Sequence, residues 1–188
     1  MQCANIGKSL GYGPYDYTRR TEFQHELEMV ERSHFGRGSE NLTKGMQQAD
    51  PGPDLHYTLS AFPNHHRALN SAINLRLKKA TSFYSAVDYP PAECYLERAV
   101  YFNPNDGTSF MLFGILLQRL GQYELALKKY RRAEQLEPNN PNVKYNLGLL
   151  LVDMEQPDDA MVYAKELYGN GFPLQGLKRK LMNSGHWD

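Results

Sequence analysis

Pro104-Asn105 and Pro138-Asn139 stand 34 residues apart, and the residues around them repeat in register. On that period Gly114 falls on Gly148, Leu117 on Leu151 and Ala126 on Ala160, while Ala99, Ala133 and Leu167 share one equivalent place. Self-similarity at a fixed period of this length marks a stacked supersecondary unit. Apolar residues recur at three- and four-residue spacing from Asp54 onward and β-branched runs are scarce, so the unit is a helical hairpin. Gly114, Ala126, Gly148 and Ala160 let two antiparallel helices approach closely, and Phe113, Leu117, Tyr130, Leu147 and Leu151 fill the remaining space. Each hairpin leaves an apolar face that the next must cover, which predicts an all-α stack.

Composition then excludes whole classes of function. Lys and Arg total 21 against 21 for Asp and Glu, with no block of five like charges, so no general nucleic-acid or anionic-membrane binder is expected. Mean hydropathy is -0.62 and no window of eighteen apolar residues exists, so no membrane span is expected. With 188 residues the chain has room for one domain or a short stack. It opens Met1-Gln2-Cys3 without a charged and apolar leader, which fits either a cytoplasmic chain or an exported one whose signal has been removed. Cys3 and Cys94 are the minimum for one disulfide, which would anchor the start of the chain; two unpaired thiols in a reducing compartment are the alternative.

Residues 1–53 carry most of the Gly and Pro punctuation, with Tyr12, Tyr15 and Tyr17 between, and read as an irregular arm. Thr21-Glu22-Phe23-Gln24 has the form of a capping box, and Phe23, Leu27 and Val30 predict one amphipathic helix over about 22–33. The three tyrosines are expected to pin the arm to the stack through ring burial and hydroxyl hydrogen bonds. Residues 54–188 form the solenoid, with units at about 66–106, 107–140 and 141–171 and a cap at 172–188. Asp54 to Phe62 is expected as an isolated helix closing the N-terminal end. The first unit is lengthened, and Tyr89-Pro90-Pro91 places the excess in residues 81–91.

Residues 107–140, with Phe110, Gly114, Leu117, Gly121, Tyr123, Ala126, Tyr130, Ala133 and Pro138 in register, resemble the tetratricopeptide repeat throughout. The next unit keeps Leu147, Gly148, Leu151 and Ala160 but departs at Pro157 and Ala164. The resemblance covers about two-thirds of the chain and implies a right-handed superhelix of about three hairpins. The block Tyr57 to Leu69, together with the Cys-bearing Gly-Pro-Tyr-Asp-Tyr arm, further resembles a group of exported bacterial tetratricopeptide proteins. That resemblance implies a periplasmic or secreted setting.

In such a superhelix the first helix of each hairpin lines a concave groove suited to an extended peptide or partner helix. The resemblance places Arg67, Asn70, Asn74 and Lys78 there from unit one. Met111, Ile115, Gln118 and Arg119 follow from unit two, and Asn142, Tyr145, Asn146 and Leu149 from unit three. Amides suit a peptide backbone and cations a carboxylate. A Cys3–Cys94 bond on a second helix would route the arm over the outer surface and leave this groove open.

Other chemistries are poorly supported. His25, His34, His56, His65 and His66 lack the spacing of a zinc site, so no metal or cofactor is expected. There is no Gly-x-Ser-x-Gly, Cys94 lies mid-helix, and no glycine-rich phosphate loop follows a strand, so no enzyme is expected. The expected activity is that of a non-catalytic scaffold or adaptor for a protein or peptide partner, with a second copy of the chain as a further partner candidate. The alternatives are a structural subunit assembling through its outer face and arm, and a small-molecule or metal-binding protein.

Overall fold

The computed structural model describes residues 3, 8, 11–47, 49–79 and 89–187. Among the described residues there are ten α-helices, one single-turn 3-10 helix and no strand. The expected long turn at 81–91 lies almost entirely outside the described residues, which resume at Tyr89. The chain packs as two compact units, residues 1–112 and 113–188.

The repeat is clearest from α6 (Gly107–Arg119) and α7 (Tyr123–Leu136) through α8 (Pro141–Asp153) and α9 (Pro157–Gly169) to α10 (Gly176–Asn183). A Cβ on Gly114 would lie 2.6 Å from the ring of Tyr130, which is fully buried. Only glycine lets α7 lay that ring flat against α6. One period later Ala164 replaces Tyr130, and the space above Gly148 is taken by Leu177 of α10, whose Cδ2 would meet a Cβ at 2.7 Å. The departure of the last hairpin from the repeat pattern therefore makes room for the capping helix. Pro157, the other departure, sits in the first turn of α9, where its missing N–H has no partner to lose.

The hairpin turns repeat as well. After α6 the N–H of Gln122 donates to Leu117 O at 2.9 Å, with Gly121 at φ +73°. After α8 the N–H of Gln156 donates to Leu151 O at 2.8 Å, with Glu155 at φ 58°. Both are left-handed helix ends that favour glycine, and the second holds a glutamate.

In the first unit α1 (Gln24–His34), α2 (Arg37–Glu40), α3 (Gly52–Ala61), α4 (His66–Lys79) and α5 (Ala92–Phe102) follow in order. The helix expected in the arm is present, but the capping box is not. Phe23 occupies the N-cap without a side-chain hydrogen bond. The N–H of Glu22 is turned back onto Arg19 O, and its carboxylate pairs with the Arg19 guanidinium, so Thr21 is held in a turn instead of the extended conformation a cap needs. Nor is α3 isolated, because it packs against α1 as well as α4. Val30, Ala61, Phe62 and Tyr17 form the shared core, with Tyr15, Phe23 and Leu27 against it.

α3 also ends as the second helices of the hairpins do. Phe62 N donates to Thr58 O, Asn103 N to Ala99 O and Glu137 N to Ala133 O, at 2.8, 3.0 and 2.8 Å. The sequences that follow are Pro63-Asn64-His65, Pro104-Asn105-Asp106 and Pro138-Asn139-Asn140. The arm thus supplies α1 as the packing partner of one more helix of the repeat type, with α2 lying in the connection between them.

The start of the arm is a strap. Cys3 and Cys94 Sγ are at disulfide distance, 1.97 Å. Tyr15 N donates to Ala61 O at 2.8 Å and Tyr17 N to Asn64 Oδ1 at 2.9 Å. The Asp16 carboxylate accepts from Asn64 Nδ2 at 2.8 Å and Asn103 Nδ2 at 3.0 Å, and so ties together the turns that follow α3 and α5. Burial works against that charge, but these bonds and those from Thr18 hold its carboxyl below the usual value.

Candidate functional site

Helical spacing sets Arg67, Asn70, Asn74 and Lys78 along α4. Asn70, Asn74 and Lys78 are exposed there. Arg67 has a different surrounding from the open groove expected of it. Its Nε and Nη2 donate to Glu40 Oε1 and Oε2 at 2.8 and 2.7 Å, and Nη1 donates to Glu31 Oε1 at 3.2 Å. The guanidinium carbon lies 5.2 Å from the centre of the Phe35 ring. Ser71 Oγ donates to the backbone oxygen of Glu40 at 2.8 Å. The arm therefore already lies on this end of α4, which corrects the expectation that its route would leave the surface uncovered. The hydrogen bonds that Arg67 donates to Glu40 push its own pKa upward, and those donated by Arg67 to Glu40 and by His65 to Glu31 hold the two carboxyls down.

In α6, Met111 and Ile115 are half-buried and Arg119 is exposed. Gln118 is taken up inside the second unit. It accepts from Tyr130 Oη at 2.9 Å and donates to Asp153 Oδ2 at 2.7 Å, while Asp153 pairs with Lys180. In α8, Asn142 is exposed and Asn146 Nδ2 donates to its backbone oxygen at 2.8 Å. Tyr145 is partly covered by Phe172, with ring centres 5.2 Å apart. Besides Arg67, which the arm engages, the exposed amides and cations of the expected surface are Asn70, Asn74 and Lys78 in the first unit and Arg119 and Asn142 in the second.

The histidines hold the first unit together. His65 is fully buried, and its Nδ1 accepts the Ala68 N–H at 3.1 Å, capping α4 with a ring nitrogen. Nε2 therefore carries the proton and donates to Glu31 Oε1 at 3.0 Å. Burial lowers the His65 pKa, against the opposing pull of Glu31. His66 Nε2 meets Asp106 Oδ2 at 2.9 Å, and Asp106 also accepts from Ser109 Oγ at 2.7 Å and Asn64 Nδ2 at 3.1 Å. Among the described residues no group of three or more His, Cys, Asp or Glu is placed to hold a metal ion. Nor is any helix among them long and apolar enough to cross a membrane.

Glu31, Glu40 and Asp16, the arm residues that make these contacts, escape a reading by period because they lie in the aperiodic part of the chain. His65 was within reach, since Pro63-Asn64-His65 aligns with Pro104-Asn105-Asp106, where the third residue caps the next helix.

Residues 114–154 match the family model for the TPR repeat. BBSome complex member BBS4 from Bos taurus is 32% identical over 79 residues, which is 42% of this chain and 15% of that protein. The crystal structure of MamA superposes with a TM-score of 0.50 at 14% identity, over 90% of this chain and 86% of that one. MamA AMB-1 gives 0.46 at 16% identity, over 63% and 66%. At 14% identity the MamA superposition speaks to the fold alone.

Proposed function

We propose that the chain, whose residues 114–154 match the TPR repeat model, is a non-catalytic scaffold or adaptor that holds an extended segment of a partner protein against the first helices of its hairpins. One observation carries this reading: Asn70, Asn74 and Lys78 are presented to solvent at one-turn spacing along α4, while Ala68, Leu69, Ala72 and Ile73 of that helix are buried. Amide side chains there can hydrogen-bond both the N–H and the C=O of a peptide, and Lys78 supplies a charge for a carboxylate. In the second unit Arg119 and Asn142 are the corresponding exposed groups. Met111, Ile115, Tyr145 and Asn146 furnish apolar or amide surroundings. Arg67, already bound by Glu31 and Glu40, positions the arm and contributes least to the partner.

The paired cysteines support an exported setting, periplasmic or secreted, because such bonds persist in oxidising compartments. A photo-crosslinking residue at Asn74 or Asn142 is expected to capture the same partner from cells, and one at the exposed Val162 of α9 is not. Equal capture at Val162, or none at Asn74 and Asn142, overturns the proposal.

A further inference from the structure

A second surface of the first unit lies apart from the helices invoked above and does not depend on that reading. Tyr12 of the strap, Met29 and His34 of α1 and Tyr57 of α3 line a cavity of about 260 Å³. A neighbouring cavity of about 280 Å³ shares Tyr12 and Tyr57. Tyr12, Met29 and Tyr57 are 38%, 37% and 41% exposed, so three large apolar side chains are left in water at one place. Such a concentration on a soluble surface marks a contact site.

The rings are held ready. Tyr57 has one face stacked on the His34 imidazole at 4.0 Å, and Tyr12 is braced by Tyr15 at 5.2 Å. His34 is itself paired with the buried Asp54, Nδ1 to Oδ1 2.9 Å, which fixes the imidazole under the Tyr57 ring. Partial burial first, then the hydrogen bond with Tyr15 and the fields of Tyr15, Glu26 and Tyr57, keep the proton on the Tyr12 hydroxyl, with its pKa pushed up to about 12. A cleft walled by tyrosine rings, with the Glu26 carboxylate near enough for its field to reach Tyr12, favours a cation.

We propose that this cleft takes the side chain of an arginine from an extended peptide partner. Its aliphatic stem lies on Met29, its guanidinium over the free faces of Tyr12 and Tyr57, and Glu26 supplies the counter-charge. Arginine is preferred to lysine because its planar, weakly hydrated head stacks on rings.

The test uses the full-length chain, disulfide intact, with ¹³C-methyl methionine. It is titrated with the blocked pentapeptide Ala-Ala-Arg-Ala-Ala and with the same peptide carrying citrulline, the neutral isostere. The Met29 methyl signal is expected to shift saturably in the millimolar range with the arginine peptide, while Met182, in the second unit, stays still. Citrulline is expected to bind about fivefold more weakly and Glu26→Gln to weaken the arginine peptide about threefold, in keeping with partly exposed cation–ring and ion pairs. Tyr57→Leu, checked for folding by unchanged Met182 and Met111 signals, is expected to lose the shift. An unmoved Met29, equal response to citrulline, or full binding by Glu26→Gln overturns the proposal.

Discussion

Asp54, Asn64, His65, Arg98 and Asp106 are all buried within residues 1–112, whereas the buried side chains described in residues 113–188 are apolar or aromatic, with two glycines between them. In the second unit each large group faces a small one, Tyr130 on Gly114 and Leu177 on Gly148, and the shape of the fit defines the packing. In the first unit every charge brought inside needs a partner. Arg98, for example, donates to Leu59 O at 2.6 Å and Ser60 O at 3.4 Å, the carbonyls at the negative end of α3. A regular stack can be specified by volume alone. An irregular one, which lacks the repeating small residue, is specified by hydrogen bonds that only one arrangement satisfies.

The sharpest way to break that contrast is Tyr130→Ala. Emptying the space over Gly114 is expected to cost about 4 kcal/mol, with hydrogen exchange accelerated in α7 to α9. If α4 amides lose protection to the same degree, the division into two kinds of core fails. Asp106→Ala should remove about 2–3 kcal/mol from the first unit, since Asn64, Ser109 and His66 all lose an acceptor, and exchange should rise in α4 and at the start of α6.

Acid should separate the units more gently. Folded His65 takes its proton less readily than the unfolded residue, so its contribution is complete above the ordinary 6.5 and fades as pH falls below it. Glu31 and Glu40, held below their ordinary 4.5, contribute fully above that value and lose it as pH drops through their lowered folded pKa values. In the second unit burial raises Tyr130, Tyr163 and Tyr168, whose contribution is complete below the ordinary 10 and is lost as pH climbs past it. Near-neutral exchange profiles repeated from pH 7 to pH 4 should therefore show α1 and α4 loosening first, and loosening confined to α8 and α9 would contradict the scheme. The smallest effect belongs to Glu155→Gly, which relieves a left-handed turn and should stabilise the last hairpin by about 1 kcal/mol in thermal melts.

The fold was legible wherever the period held. The bounds of α4, α6, α7, α8 and α9 follow from apolar spacing and from Pro104, Pro138 and Gly121, and even the departures at Pro157 and Ala164 were visible, though their reason lay in Leu177. What could not be read was contact across long stretches of aperiodic chain. Nothing local to Arg67 announces Glu40, 27 residues earlier, and α2 has only four residues with two glycines beside or within it. Of the candidate surface, only the placement of residues along a helix was legible. Helical spacing put Asn70, Asn74 and Lys78 together, but the covering of Tyr145 by Phe172 depends on how the chain returns after α9.

The link between Cys3 and Cys94 spans 91 residues and turns α1 to α4 into a closed ring. Tension applied at the two ends of the molecule would pass from residue 3 directly to residue 94 and leave that ring slack. A single protease nick inside it would release no fragment until a thiol reductant opened the clasp.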